Sequence, residues 1–283
     1  MQIVETVAEV RRIRWARVGS WGLVPTMGFL HAGHVSLVER ARRENDHVGV
    51  SIFVNPTQFA PTEDLAAYPR DLERDLRLLE AAGADLVWTP PVSEVYPPGF
   101  QTYITVEEVT KPLEGASRPT HFRGVATVVA KLFNIFQPDR AYFGQKDAQQ
   151  AVVIRQMARD LDFPLEVVIC PIVREPDGLA LSSRNIYLTP EQRAAAPVLN
   201  RALRAARDAW QAGEHDGEAL RGTMRGVLAA EPLARPDYVS AADLVTLAEL
   251  GDAGRGVLLS MAVRIGKARL IDNMLLMPVS PSQ

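Results

Sequence analysis

The chain has 283 residues, of which 47% are hydrophobic, with 31 Lys and Arg against 34 Asp and Glu. This length is sufficient for one large domain and one small domain, each with its own core. The net charge is -3, so the chain does not have the excess of Lys and Arg that is typical of nucleic-acid-binding proteins. The single cysteine, Cys170, excludes an internal disulfide and favours a cytoplasmic location. No apolar run approaches the ~18 residues of a transmembrane helix, so we expect no membrane partner.

Short β-type runs alternate with helical patterns through the first part of the chain. Strands are predicted at residues 21–25, 47–54, 85–88, 140–143 and 165–170. Helices are predicted after the first strand, from Pro69 at its first position to Gly83, around 125–136, and over 148–161. This order predicts an α/β fold with a Rossmann-like parallel sheet and helices on both faces, which binds ligands at the carboxyl ends of its strands.

The composition changes near residue 176. A Thr189-Pro190-Glu191-Gln192 capping box predicts the start of a long helix that ends near Gly213. A second helix from about Asp216 and β-type runs near Tyr238, 257–263 and 270–276 follow. We therefore predict a Rossmann-like domain over 1–175 and a small α+β domain over 176–283 that closes over the ligand site of the first. Two long Pro/Gly-rich loops, 89–100 and 111–124, are expected to include one that covers the site.

The segment PTMGFLHAGH, residues 25–34, lies between the first strand of the sheet and its first helix. Its His-x-Gly-His spacing places His31 and His34 at a helix N-terminus, where free N–H groups favour an anion. Gly33 lets a phosphate approach the backbone closely. Two imidazoles can donate hydrogen bonds to an α-phosphate and to departing pyrophosphate. The alternative is a turn that carries two surface histidines.

Two further segments have the same character. Gly144-Gln145-Lys146-Asp147 lies at another strand end and helix start, where a lysine can act as a point charge for phosphate. Leu181-Ser182-Ser183-Arg184 follows the predicted domain boundary and supplies neutral and cationic donors for polyphosphate. Taken alone, the first could be a solvated cap and the second a Ser-rich linker. Together with the histidine turn they indicate a nucleotide site.

Several other nucleotide and metal motifs are absent from the sequence. There is no Gly-x-x-x-x-Gly-Lys-Ser/Thr loop, no Gly-x-Gly-x-x-Gly pattern, and no metal-ligand spacing of Cys and His. Attack at the α-phosphate of ATP is therefore favoured over γ-phosphoryl transfer.

The histidine turn and the later Ser-Ser-Arg loop resemble the nucleotidylyltransferase superfamily. Within it, the segments 24–34, 53–59, 118–129, 143–150 and 177–188 resemble the pantothenate synthetase family. The resemblance implies an ATP-dependent ligase that forms pantoyl adenylate from (R)-pantoate and then transfers the pantoyl group to β-alanine, releasing pyrophosphate and AMP. It also implies a magnesium requirement and a homodimer.

The resemblance also implies roles for individual residues. His34 is expected to be the catalytic proton donor, assisted by His31, while Lys146 and Arg184 take up phosphate charge. Contacts to ATP are implied for Met27, Gly28, Phe29, Leu30, His31, Ala32, Gly33, His34, Gly144, Gln145, Lys146, Asp147, Val173, Leu181, Ser182, Ser183 and Arg184. Contacts to pantoate or β-alanine are implied for Gln58, Gln150, Pro25, Thr26, Asn55, Arg118, Val125, Val128, Val129 and Phe143. No magnesium ligand is predicted, although Asp71, Glu73 and Asp75 supply carboxylates that could position the ion.

Three other functions are weighed against this one. A nucleotidylyltransferase that transfers AMP to a phosphorylated acceptor shares the histidine turn but needs cations around the acceptor. A non-catalytic nucleotide-binding module leaves the Gln58 and Gln150 segments unexplained. An aminoacyl-tRNA synthetase is disfavoured by the short length and the acidic balance.

Overall fold

The first half of the chain folds around a parallel sheet, as the alternating pattern predicts. The computed structural model describes residues 1–59, 65 and 68–278. Within them, the sheet has six strands in the order β1-β4-β3-β2-β5-β6. The strands are β1 Gln2–Val4, β2 Trp21–Thr26, β3 His47–Ile52, β4 Leu86–Trp88, β5 Arg140–Gly144 and β6 Glu166–Cys170. From β2, chain order runs outward through β3 and β4 on one side and through β5 and β6 on the other, so β2 and β5 flank the switch point at which such sheets bind ligands.

Helices cover both faces of this sheet. They are α1 Val7–Ala16, α2 Ala32–Glu44, α3 Leu72–Ala81, α4 Val92–Val95, α5 Glu114–Ser117, α6 His121–Phe136 and α7 Ala148–Asp160. Successive side chains of a strand point to opposite faces. Leu23 of β2 accordingly packs in the core beneath α1, α6 and α7, whereas Val24 packs in the core beneath α2 and α3.

The second half forms a smaller unit with its own core. Its helices are α8 Pro190–Ala195, α9 Val198–Gln211 and α10 Gly217–Ala229, and its antiparallel sheet contains β7 Ala234–Ala242, β8 Val257–Ile265 and β9 Ala268–Leu276. The Rossmann-like fold class with a small α+β unit is thus confirmed. The parallel strands all precede residue 176 and the antiparallel strands all follow it, while the exact domain boundary stays a prediction.

Some predicted element bounds are wrong, for local reasons. Helix α3 begins at Leu72 rather than Pro69, because the carboxylate of Asp71 caps it by accepting from the Arg74 N–H. The long helix predicted from the Thr189 box to Gly213 is two helices, which meet at Pro197. A proline has no N–H to continue the helical ladder.

Other elements lie where the sequence analysis predicts loops or nothing at all. The loop predicted over 89–100 contains α4, and the one over 111–124 contains α5 and the first turn of α6. Strand β1 and helix α1 are unpredicted. The capping box of Thr6 and Glu9 at the start of α1 is the sequence signal that could have revealed that helix.

Helix α6 packs closely against the short 3-10 turn Pro56–Gln58, and Gly124 makes this contact possible. A Cβ on Gly124 would lie 2.4 Å from the carbonyl oxygen of Thr57. Asn55 adds a hydrogen bond from Nδ2 to the carbonyl oxygen of Gly124, at 3.1 Å. The backbone of α6 thereby fixes the position of the turn that carries Gln58.

We expect Gly124→Ala to lower the free energy of unfolding by about 1–3 kcal/mol, because the added methyl forces two backbone segments apart. Urea denaturation measures this change. Gly226→Ala is the matched control, because Gly226 lies in α10 with open space around its Cβ position. That variant should gain about 0.5–1 kcal/mol from helix propensity. Equal stability of Gly124→Ala and the wild type would contradict the proposed packing constraint.

Candidate active site

A cleft of about 240 Å³ opens at the carboxyl ends of β2, β3, β5 and β6. Thr26, Phe53, Gly144 and Pro171 mark these four strand ends on its wall. The 181–184 segment of the second half of the chain also lines the cleft. The cleft therefore lies where the sheet topology places a ligand.

Most of the residues implied by the resemblance meet in this cleft. Those that line it are Pro25, Thr26, Met27, His31, Gly33, His34, Gln58, Arg118, Val125, Val128, Val129, Phe143, Gly144, Lys146, Asp147, Gln150, Val173, Leu181, Ser182, Ser183 and Arg184. Those that do not line it are Gly28, Phe29, Leu30, Ala32, Asn55 and Gln145.

The residues outside the cleft have structural roles instead. Leu30 is buried in the core, and Ala32 occupies the first turn of α2. Asn55 is 1% exposed, and its Oδ1 accepts hydrogen bonds from Thr57 and Tyr96. The Asn55 amide is thus buried and bonded within the protein, and its contact to a substrate stays a prediction.

The two histidines form an unusual capping box at the start of α2. His31 is the N-cap, and its Nδ1 accepts from the Gly33 N–H at 3.1 Å. His34 is the third helical residue, and its Nδ1 accepts from the His31 N–H at 3.3 Å. A neutral imidazole that accepts at Nδ1 carries its proton at Nε2. Both rings, whose centroids are 4.1 Å apart, thus have Nε2–H as their remaining donor.

Both imidazoles are held in the neutral form. Burial, followed by the charge of Lys146, lowers the pKa of His31 to about 4. Burial, followed by the neighbouring His31, lowers the pKa of His34 to about 3. The pair therefore offers two neutral hydrogen-bond donors at neutral pH, at the N-terminus of a helix.

Asp75 of α3 holds the turn that precedes these histidines. It is 1% exposed, and its two carboxylate oxygens accept the N–H groups of Phe29 and Leu30 at 2.7 and 2.8 Å. Because Asp75 anchors backbone and Asp71 caps α3, the idea that these two carboxylates position magnesium is not supported. Phe29 and Gly28 have φ values of 49° and 81°, which explains why the turn needs such an anchor.

One end of the cleft is apolar. Val125, Val128 and Val129 of α6 are buried and face it, together with Phe143 at the end of β5. Gln58 and Gln150 add amide groups to this end without adding charge. A wall of this kind suits a small branched acid that also carries hydroxyl groups.

The main chain of Gln58 is held by two side chains from the 111–124 segment. Its carbonyl oxygen accepts from Arg118 Nη2 at 3.1 Å and lies 3.0 Å from His121 Nδ1. Burial, followed by the charge of Arg118, lowers the pKa of His121 to about 4. A neutral His121 that donates from Nδ1 leaves Nε2 free to accept from Arg118 Nη1, at 3.3 Å.

The other end of the cleft is cationic and hydroxylic. Lys146 follows β5, and its ammonium is 3.9 Å from the carboxylate of Asp147. Arg184 stands in the 3-10 turn Ser183–Tyr187, which Ser182 caps by accepting from the Arg184 N–H at 3.3 Å. The two positive charges and the hydroxyls of Ser182 and Ser183 line the same cleft as the histidines.

Comparison with known proteins agrees with this geometry. Residues 2–275 match the family model described as pantoate-beta-alanine ligase. The chain belongs to the pantoate-beta-alanine ligase family. Over 98% of this chain it is 64% identical to pantothenate synthetase from Roseiflexus sp. (strain RS-1), with 99% of that protein covered, and 66% identical to the one from Chloroflexus aggregans, with 100% covered.

Solved structures of this family have the same fold. Pantothenate synthetase from Thermus thermophilus is 53% identical with a TM-score of 0.94, over 98% of this chain and 100% of that one. Pantoate-beta-alanine ligase from Francisella tularensis, solved in complex with beta-gamma ATP and beta-alanine, is 36% identical with a TM-score of 0.80, over 97% of each chain.

Sequence reasoning missed part of the cleft. The additional lining residues are Leu37, Ser51, Phe53, Phe59, Tyr68, His121, Leu132, Pro171 and Ile172. Some had a usable signal, because Pro171 and Ile172 directly follow a predicted strand and Leu132 lies one helical turn beyond Val128. His121 lies within the 118–129 segment that carries the resemblance, whereas Tyr68 had no signal, because tertiary packing alone brings it to the cleft.

The residues that the structure describes contain no group of three or more His, Cys, Asp or Glu side chains that could hold a metal ion. Across the same part of the chain, no helix has the length and apolar character needed to cross a membrane.

The buried histidines predict how stability depends on pH. His31, His34 and His121 have lowered pKa values in the folded chain, against an ordinary value of 6.5. As the pH falls below 6.5, the unfolded chain binds protons that the folded chain does not, so the free energy of unfolding decreases. This contribution levels off once the pH is below the folded-state values.

His121→Asn keeps an amide donor for the Gln58 carbonyl but cannot titrate. We therefore expect its stability to fall less than that of the wild type between about pH 7 and about pH 4.5. Urea denaturation at several pH values measures the two curves. Parallel curves would show that His121 is not held neutral in the folded chain.

Proposed function

We propose that this chain condenses (R)-pantoate with β-alanine to give pantothenate, with pantoyl adenylate as intermediate and AMP and pyrophosphate as products. One observation carries the proposal: a helix N-terminus with two neutral imidazole donors faces the same cleft as a glutamine- and valine-lined pocket. Membership of the ligase family and the ATP and beta-alanine bound by the Francisella tularensis relative support it.

In the first step, a carboxylate oxygen of pantoate attacks the α-phosphorus of ATP, and the bond to pyrophosphate breaks. We assign the apolar wall of Val125, Val128, Val129 and Phe143 to the gem-dimethyl group of pantoate. Gln58 and Gln150 are assigned to its hydroxyls and carboxylate. Holding both reactants in one cleft supplies much of the rate enhancement by proximity.

The protein's contribution to this step is electrostatic. The Nε2–H groups of His34 and His31 donate to the α-phosphate and to the leaving pyrophosphate, while Lys146 and Arg184 take up charge on the pyrophosphate. His34 Nδ1 accepts the His31 N–H, and burial lowers the pKa of the ring, so both favour a neutral imidazole that donates a hydrogen bond from Nε2. We therefore propose hydrogen-bond donation in place of the proton donation implied by the resemblance.

In the second step, the amine of β-alanine attacks the acyl carbon, the bond to AMP breaks, and the amine loses a proton. Gln58 faces the cleft beside the pantoate pocket and is proposed to contact β-alanine as well. No covalent bond to the protein is required in either step.

Magnesium is proposed to enter with ATP. The ion commonly keeps phosphate and water ligands and takes few from protein. Asp147 is the carboxylate that lines the described part of the cleft, next to Lys146, and so fits such an arrangement. When bound, the ion would neutralise charge on the phosphates.

The nucleotidylyltransferase alternative is less well supported. Its phosphorylated acceptor needs a cationic pocket, whereas α6 presents Val125, Val128 and Val129 to this end of the cleft. Arg118 lies nearby but donates to the carbonyl of Gln58.

The function is tested by AMP release from ATP, with pantoate, β-alanine and magnesium each present or omitted. We expect AMP and pantothenate in equal amounts only when all three are present. Pyrophosphate exchange into ATP should require pantoate but not β-alanine. Transfer of AMP to a phosphorylated acceptor, with no dependence on pantoate, would overturn the proposal in favour of the nucleotidylyltransferase.

His34→Ala is expected to lower pantoate-dependent ATP–pyrophosphate exchange by on the order of 10²–10³-fold, the usual effect of losing one such donor. His34→Gln keeps an uncharged N–H donor of similar reach and should retain more activity. Exchange rates of both variants, measured at neutral pH, decide whether His34 acts by hydrogen-bond donation or by proton transfer. A His34→Gln variant as inactive as His34→Ala would favour proton transfer, and a His34→Ala variant within threefold of wild type would remove His34 from the mechanism.

We also propose a homodimer in the cytoplasm. In the part of the chain that the structure describes, residues 103–107 alternate between exposed and partly buried positions without pairing to a strand. Such a segment can pair with a second copy. Light scattering should then give about twice 31.1 kDa, and a mass of one chain would contradict the dimer. The buried free thiol of Cys170 suits a reducing compartment, which cell fractionation can test.

A further inference from the structure

Asn273 of β9 reaches from the second half of the chain to the turn that carries Lys146. It is 3% exposed. Its Nδ2 donates to the carbonyl oxygens of Gln145 and Lys146, at 2.9 and 3.0 Å. Its Oδ1 accepts from Gln145 Nε2 at 3.2 Å. One buried amide therefore makes three hydrogen bonds to two adjacent residues of the phosphate end of the cleft.

The Lys146 turn has little local support of its own. The 3-10 turn Gln145–Asp147 has no side-chain hydrogen bond at its N-cap, and neither does helix α7 that follows it. The ammonium of Lys146 is 3.9 Å from Asp147, which is too long for a hydrogen bond. In the described part of the chain, Asn273 is thus the side chain that donates hydrogen bonds to the backbone of the turn from which Lys146 extends.

Asp272, the residue next to Asn273, binds the hairpin that precedes the segment with Arg184. The carboxylate of Asp272 binds Arg174 Nη1 and Nη2 at 2.7 and 2.8 Å, and its Oδ1 also accepts the Asn273 N–H. Arg174 pairs with Ala180 in an antiparallel bridge, and the Leu181 N–H donates to the carbonyl of Val173. That short hairpin leads directly into the segment with Arg184.

We propose that Asn273 is a positioning residue for adenylation, which fixes Lys146 relative to Arg184 so that both charges meet the leaving pyrophosphate. The proposal rests on the proposed function. Asn273 does not line the main cleft and acts through the Lys146 backbone. Its effect is specific to the step that releases pyrophosphate, because the aminolysis step involves no pyrophosphate.

Asn273→Asp tests this with little change of shape, since a carboxylate cannot donate to two carbonyl oxygens. Asn273→Ser is the second variant: its side chain is too short to reach the carbonyl oxygens of Gln145 and Lys146, and it adds no charge. We expect kcat/KM for ATP in pantoate-dependent pyrophosphate exchange to fall by roughly 10- to 100-fold, the scale of a small misplacement of a catalytic group. The KM for pantoate and the rate of aminolysis of supplied pantoyl adenylate should stay within about twofold of wild type.

A double-mutant cycle with Lys146→Ala separates positioning from general destabilisation. In the Lys146→Ala background, Asn273→Asp should cause little further loss, because the group it positions is gone. Asn45→Asp is the matched control: Asn45 is also buried, and its Nδ2 donates to Ala41 O and Tyr142 Oη, away from the cleft. That variant should lower the melting temperature without changing the ratio of the two half-reactions.

Two results would overturn the proposal. One is an equal loss from Asn273→Asp in the wild-type and Lys146→Ala backgrounds, and the other is an equal loss in both half-reactions. Failure of the function itself is distinguishable, because wild-type protein would then show no pantoate-dependent exchange.

Discussion

The buried carboxylate of Asp75 is the interaction on which the nucleotide end of the cleft depends. Residues 28–30 leave the end of β2 with two successive left-handed φ values, of which that of Phe29 is unfavourable for a side chain with a Cβ. Asp75 compensates by accepting both N–H groups that this geometry turns inward. The chain then enters α2 with His31 as its N-cap, so the position of both imidazoles follows from a carboxylate on another helix.

The way in which the chain enters α2 also determines which ring nitrogen of each histidine carries the proton. Each Nδ1 is occupied by a backbone N–H, which fixes the tautomer and directs Nε2–H toward the cleft. Protonation at Nδ1 would break the cap, and burial already disfavours the charged ring. The positive charge at the site therefore comes from Lys146 and Arg184, while the imidazoles supply hydrogen bonds of fixed direction. Neutral donors can stabilise negative charge on the α-phosphate and then on pyrophosphate. They do so without the strong ion pairing that would slow release of the product.

The sequence was sufficient for five of the six strands of the parallel sheet and for the segments at their ends, because both depend on local patterns. Short apolar β-type runs, Gly-containing turns and helix caps are each recognised within about ten residues, and parallel topology then brings His34, Lys146 and Gln58 to one edge of the sheet. What could not be predicted depends on contacts distant in sequence. Asp75 looks like any acidic residue of an amphipathic helix, and Asn273 like any polar residue of a strand.

The same distinction explains what the second half of the chain contributes. Its sequence motif, the Ser-Ser-Arg segment, predicts a direct contact with phosphate, and the cleft contains that segment. Its structure adds an indirect contribution, since Asp272 and Asn273 of β9 bind Arg174 and the Gln145–Lys146 backbone of the first half. A unit that only covered the nucleotide would need complementary surface alone. Here two adjacent strand residues connect the supports of Lys146 and Arg184, so the geometry of the phosphate end is shared between the two halves of the chain.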